Sequence, residues 1–200
     1  MICVILSADK GIDRFREAVS LELEKHFSVI RAHGGTLDTS AYGAELLLTD
    51  IKSFRQFTGD ATIIVLKDCG GAQLSAIAGA KIAVVDSGNG KLMRHMAQTG
   101  IPAITCGLSA KDTITLSSMG IDGAVVNLQR SIINLHGTVI EPQEIPVHIS
   151  GEADRFAVMA AAAVCLLCKK SPAGIKPGPA TETIASHNKI THDHTSNANA

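Results

Sequence analysis

An aspartate, a serine, an asparagine and a lysine stand among glycines at Asp86, Ser87, Gly88, Asn89, Gly90 and Lys91. They follow an apolar, β-branched run and open a stretch of helical periodicity. Free backbone N–H groups and the helix dipole at such a junction favour an anion. The segment completes neither of the glycine loops that grip phosphate. A P-loop requires a glycine five residues before its Gly-Lys pair and Ser or Thr after it; Val85 and Leu92 occupy those places. A dinucleotide fingerprint requires a third glycine where Met93 stands. Without the P-loop hydroxyl, Mg²⁺ and a γ-phosphate lose their usual anchor. The plainer reading, a tight turn between strand and helix, stands beside the anion site.

Each apolar run ends in polar groups: Ser7 and Asp9, Thr49 and Asp50, Lys67 and Asp68, Asp86 and Ser87, Thr105 and Cys106. In an open parallel sheet, ligands bind beyond the carboxyl ends of the strands. The candidate ligand-binding residues are therefore Asp86, Ser87, Asn89, Gly90, Lys91, Thr105 and Gly107, with Ser7, Asp9, Asp50 and Asp68 on the neighbouring rim. Clustered carboxylates hold Mg²⁺ and repel a phosphate unless a metal or lysine intervenes. Against this, strands must end somewhere and Asp is a turn residue. No catalytic residue and no metal-ligand set is assigned.

Other reactive residues fit structural roles. Cys165 and Cys168 form a C-x-x-C inside an apolar helical run, at the helix end that does not stabilise a thiolate. Cys69, beside Gly70 and Gly71, has no histidine near it in sequence to activate it. His187, His192 and His194 fall in a polar stretch whose spacing imposes no coordination geometry. Ser7 and Lys10 match a Ser-x-x-Lys string without its companion motifs.

The elements that must position these groups alternate. Residues 2–6 read as a buried strand, and Ile12, Phe15, Val19, Leu23 and Phe27 recur at helical spacing. Apolar runs follow at 29–30, 46–48, 63–66, 82–85 and 103–105, with a helix over 90–98 stopped by Gly100. This pattern predicts a three-layer α/β fold, a mostly parallel sheet flanked by helices. From 108 to 150 the chain becomes β-rich with short glycine spacers, which predicts antiparallel hairpins, with Pro142 and Pro146 marking an edge. An Ala-rich helix follows over 151–168. The expected organisation is one domain over 1–170 (alternating over 1–107, antiparallel over 108–150) and a disordered polar tail over 171–200.

Composition narrows the function classes. Aromatics make up 3% of the 200 residues and tryptophan is absent, so the core is built from aliphatic side chains. A net charge of -1 gives no basic field for nucleic acid and no polybasic membrane patch. No apolar run approaches the roughly 20 residues of a membrane span. Five cysteines without a disulfide-like spacing suit a reducing cytoplasm.

Val84-Val85-Asp86 before a helix, Ile104-Thr105-Cys106-Gly107 closing a strand, the β-rich stretch, and Gly151-Glu152-Ala153-Asp154 leading into Ala160 to Ala163 form a recognisable order. Over residues 81–168 this order resembles the later half of the central domain of the Mur ligases, ATP-dependent amide ligases of peptidoglycan synthesis. The resemblance implies a nucleotide or cell-wall precursor as ligand, and ATP and Mg²⁺ as cofactors, which the residues themselves do not specify. The family's Gly-Lys-Thr loop is absent, its helix-opening His-Asn pair falls on Ala153 and Asp154, and its nucleotide-facing asparagine falls on Ala157. The bend over residues 7–11 stands where a P-loop unit would lie. The expectation is a degenerate, non-catalytic binding or regulatory protein. The alternatives are a Mg²⁺-dependent enzyme of phosphate or amide chemistry using the acidic rim, and a structural protein partner of a larger ligase.

Overall fold

The computed structural model describes residues 1–39, 43–50, 62–68, 80–120, 123–148 and 154–168. The expected tail, Cys69 and the residues that open the last helix at 151–153 lie outside them. Strand and helix alternate as the apolar runs require: β1 (Ile2–Ala8), α1 (Ile12–Glu24), β2 (Val29–His33), β3 (Thr36–Thr39), β4 (Leu46–Asp50), β5 (Thr62–Asp68), β6 (Ile82–Asp86), α2 (Gly90–Thr99) and β7 (Ala103–Gly107). Then come β8 (Ile114–Met119), β9 (Gly123–Leu128), the short hairpin β10 (Ile132–Ile133) and β11 (Val139–Ile140), β12 (Gln143–His148), and α3 (Arg155–Cys168).

Ten of these strands form one sheet in the order β12-β9-β8-β7-β6-β5-β1-β4-β2-β3. From β8 to β2 every neighbouring pair is parallel. The central strands are apolar on both faces because both faces are covered. Val4, Leu6, Ile63 and Val65 face a core shared with α1 and α3. Their alternates Cys3, Ile5, Ile64 and Leu66 pack with Leu92 and Met96 of α2 on the other side. The result is an α/β fold of three layers, with an antiparallel extension and a C-terminal helix.

Two pairings differ from expectation. β8 joins β7 in parallel through only two pairs, Cys106↔Ile114 and Gly107↔Thr115. Parallel neighbours normally need a crossover of a dozen or more residues. Here β8 starts beside the end of β7 and runs on past it, so six residues suffice. At the opposite edge, β2 and β3 form an unforeseen hairpin closed by Gly34 and Gly35 at φ 55° and 80°. Two consecutive left-handed residues make the tight turn that matches strand twist.

β12 is the last strand of the sheet, and Pro142 and Pro146 sit before and within it, where a missing N–H costs no ladder bond. The helix α3 is buried from Phe156 to Cys168. A helix apolar all round must be enclosed on every side. The sheet curls to do this: α3 touches β5, β6, β7, β8, β9 and β12, and α1 closes over it. Lys25, which caps the end of α1, donates from Nζ to the His148 carbonyl at the end of β12 at 2.6 Å, tying the two ends of that wrap together. Alanine at 160–163 lets the backbone of α3 approach both layers.

Candidate functional site

β5, β6 and β7 end side by side, and the start of α3 lies against them. Two adjoining cavities of about 570 Å³ each open there and share Lys67, Asp86 and Gly88. The first is completed by Asp68, Asn89, Gly90, Lys91 and Arg94 at the start of α2. The second is completed by Ser87, Gly107, Leu108, Ser109, Asp112, Asp154, Arg155, Phe156 and Met159. Volumes of this size suit small-molecule ligands.

Asp86 lies at the junction. Its Oδ1 accepts the Gly88 N–H at 2.9 Å, which folds the turn after β6. Desolvation raises its carboxyl above the usual aspartate range; the Asp154 and Asp68 charges push the same way, while the Gly88 bond and Lys67 oppose. A raised carboxyl favours the folded state while protonated, and that contribution disappears as pH rises through the folded value. Asp86→Asn, whose amide oxygen can keep the Gly88 bond, is therefore expected to be more resistant to urea than the parent at pH 7. The difference should shrink toward pH 4, near the ordinary aspartate value. Equal differences at both pH values would contradict it.

Asn89 caps α2, its Oδ1 accepting from the Lys91 and Leu92 N–H groups at 3.2 and 3.1 Å. Two of the helix-end donors are thereby satisfied internally, and charge for an anion comes instead from Lys91, Arg94 and Lys67. Lys67 pairs with Asp154 and stands 5.5 Å from the Phe15 ring centre. Phe15 in turn stacks on Phe156, centroids 5.6 Å apart. Asp154 also caps α3 by accepting the Ala157 N–H at 3.0 Å.

Of the residues singled out from sequence, Asp68, Asp86, Ser87, Asn89, Gly90, Lys91 and Gly107 line these cavities. The rest have other surroundings. Thr105 Oγ1 accepts the Thr113 N–H at 3.0 Å, holding β7 to the start of β8. Ser7 is fully buried and Asp9 is exposed. The Asp9 N–H donates to Asp68 Oδ1 at 2.8 Å, so that rim carboxylate helps hold the bend after β1. Asp50 is buried and pairs with Arg16 at 3.0 Å.

Sequence reading missed Asp112, Asp154, Arg94, Arg155 and Phe156. Asp154 carries a signal, an aspartate immediately before the first residue of a helix. Asp112 also has a local one, a Ser-x-x-Asp turn in which Asp112 Oδ2 accepts the Ser109 N–H at 2.9 Å. Among the described residues, no three His, Cys, Asp or Glu side chains gather in a way that could hold a metal ion.

Among the described residues, the bend between β1 and α1 is a second strand–loop–helix junction where triphosphate and Mg²⁺ could be gripped. Measured from Gly11, the P-loop pattern puts its first glycine at Leu6, its lysine at Ile12 and its hydroxyl at Asp13. An aspartate in the first helical turn repels phosphate, and nearby Arg16 is held by Asp13 and Asp50 at 2.7 and 3.0 Å. These residues do not fit a magnesium triphosphate. No helix among the described residues is long and apolar enough to cross a membrane.

No family model matches the sequence, and no curated protein matches it. Solved structures do share the fold. MurF ligase from Thermotoga maritima, determined in complex with ADP, is 14% identical with a TM-score of 0.51, covering 83% of this chain and 44% of that one. A UDP-N-acetylmuramoyl-L-alanyl-D-glutamate–2,6-diaminopimelate ligase is 10% identical at TM-score 0.52, covering 82% and 42%. The UDP-N-acetylmuramoylalanyl-D-glutamyl-2,6-diaminopimelate–D-alanyl-D-alanyl ligase of Acinetobacter baumannii is 10% identical at TM-score 0.55, covering 84% and 43%. This chain spans less than half the length of those ligases, and over that span it has a Mur-ligase-like α/β fold.

Proposed function

We propose that this protein is a non-catalytic binding or regulatory module on a Mur-ligase-like fold, whose pocket at the ends of β5, β6 and β7 takes a nucleotide or a cell-wall precursor. One contrast carries the reading. A cavity lined by Lys67, Lys91 and Arg94 together with Asp68 and Asp86 lies at the strand ends, while the bend after β1 puts Ile12 and Asp13 where a phosphate grip needs lysine and a hydroxyl. Ligation demands phosphates, metal and amine held together in one geometry. Binding demands only the cavity.

A thermal-shift series with ATP, ADP and UDP-N-acetylglucosamine, with and without Mg²⁺, tests the proposal. A ligand at 100 times its Kd adds about 2.7 kcal/mol, or roughly 5–10 °C in a chain of this size. No shift with any of them at millimolar concentration would remove the pocket reading. Turnover of ATP would remove the non-catalytic one.

A second reading, an enzyme using the acidic rim with Mg²⁺, draws on Asp86 alone, because a raised carboxyl beside other carboxylates suits proton transfer. Asp50, Asp68 and Asp154 are engaged with Arg16, the Asp9 N–H and Lys67. This enzyme would lose metal-dependent turnover on Asp68→Asn or Asp86→Asn. Unchanged turnover in both variants would end the idea.

A further inference from the structure

The two end strands of the main sheet are finished differently. At β12, Pro142 and Pro146 remove backbone donors, so a further strand would meet an incomplete ladder. At β3 the strand reads Thr36-Leu37-Asp38-Thr39, without proline, lysine or bulge. Thr36, Leu37 and Asp38 are all exposed, Leu37 to 67%. Natural sheets blunt their edges, and an edge left open with an apolar side chain on it is a place where another strand adds.

The hairpin fixes which backbone groups of β3 are free. Gly34 and Gly35 both have positive φ, so His33 and Thr36 flank a two-residue turn and form its closing hydrogen-bonded pair. Bonded and non-bonded pairs then alternate along the ladder. Arg31↔Asp38 is bonded and Ala32↔Leu37 is not, which turns the Leu37 N–H and carbonyl away from β2. One position thus offers an outward donor, an outward acceptor and an exposed leucine.

A second copy of β3 complements that edge. Turned about a two-fold axis normal to the sheet and centred on Leu37, it sets the two leucines opposite one another. Each Leu37 N–H then meets the other copy's Leu37 carbonyl, and the leucine side chains share one face. On the other face Thr36 of each copy stands opposite Asp38 of the other. The one charge of the strand therefore meets a hydroxyl and not its like, and within its own copy it is held by Arg31 at 3.0 Å. A two-fold contact of this kind closes with two copies, and the prolines at β12 leave no second edge from which a fibre could grow.

We infer that β3 is a homodimer edge at which two copies of this chain join their sheets, antiparallel and centred on Leu37. The contact is independent of the pocket. A strand of 4 residues buries far less than the roughly 1,200–2,000 Å² of a stable interface, so the pairing is reversible and follows concentration.

Sedimentation velocity of the full chain from micromolar to millimolar concentration tests it. The average mass should rise toward twice that of the monomer. Leu37→Lys, at an exposed position, should stay monomeric throughout and keep the melting temperature of the parent. Amide hydrogen exchange gives a second readout: the Leu37 N–H should exchange severalfold more slowly at the high concentration than at the low. The Thr36 and Asp38 N–H groups, already bonded to β2, should change little. A parent that remains monomeric, a dimer that survives Leu37→Lys, or a dimer in which Leu37 exchange is unchanged overturns the inference. A mass that climbs past two copies does so as well, because the contact would then be open-ended.

Discussion

Gly107→Ala should destabilise the protein more than any other single methyl group added at the site. The new Cβ would lie 2.1 Å from Ser87 Oγ and 2.4 Å from Asp112 Oδ2, distances no real contact reaches. Neither neighbour gives way freely. Asp112 is buried and anchored by the Ser109 N–H, and Ser87, whose backbone is tied to the Cys106 carbonyl at 3.0 Å, can move its Oγ only by changing rotamer. Overpacking of this kind costs about 2–3 kcal/mol, which lowers Tm by roughly 5–10 °C in a chain of this length. Adding Ser87→Ala and Asp112→Ala removes both obstructing atoms and should recover much of the loss, a coupling that independent sites do not show. If Gly107→Ala melts within about 1 °C of the parent in a calorimetric scan, β7 and the turn after it are not packed as described.

That glycine shows how far the sequence could be read. Its place at the end of a strand followed from apolar runs and from the rule that ligands meet strand ends in a parallel sheet. The clash that forbids a side chain there did not, because Asp112 returns to the site through a parallel β7–β8 pairing that a six-residue connection does not suggest. Asp154 arrives from farther still, 87 residues from the lysine it pairs with. The β2–β3 hairpin was legible in its Gly-Gly turn but lay in a stretch read only for helix and strand alternation. α3 was legible as a helix from its alanines, and its burial on every side was not, since that needs the far end of the sheet to curl over it. The acidic rim divides on contacts that sequence does not show. Strand-end aspartates look alike in sequence, and what separates Asp86 from Asp50 and Asp68 is a partner 34 residues away for Asp50 and 59 away for Asp68.

Asp50 gives the second large effect. Its carboxylate is 7% exposed and faces Arg16 Nη1 at 3.0 Å, whereas the other partner of Arg16, Asp13, is 84% exposed. Removing the arginine takes the cation away from a buried carboxylate; removing the aspartate leaves a guanidinium that can still lean toward Asp13 and water. The two ends of one ion pair should therefore not be equivalent. Arg16→Met keeps the apolar stem packed and strips only the charge, and breaking a buried pair in this direction costs about 3 kcal/mol. Asp50→Asn should cost clearly less, and the double variant should be more stable than Arg16→Met alone because the buried carboxylate that lost its cation has gone. Urea unfolding at pH 7 of the four proteins reads the order directly. Equal losses for the two single variants would mean that Asp50 reaches solvent or ligand as a rim residue does, and the structural assignment of that aspartate would fall.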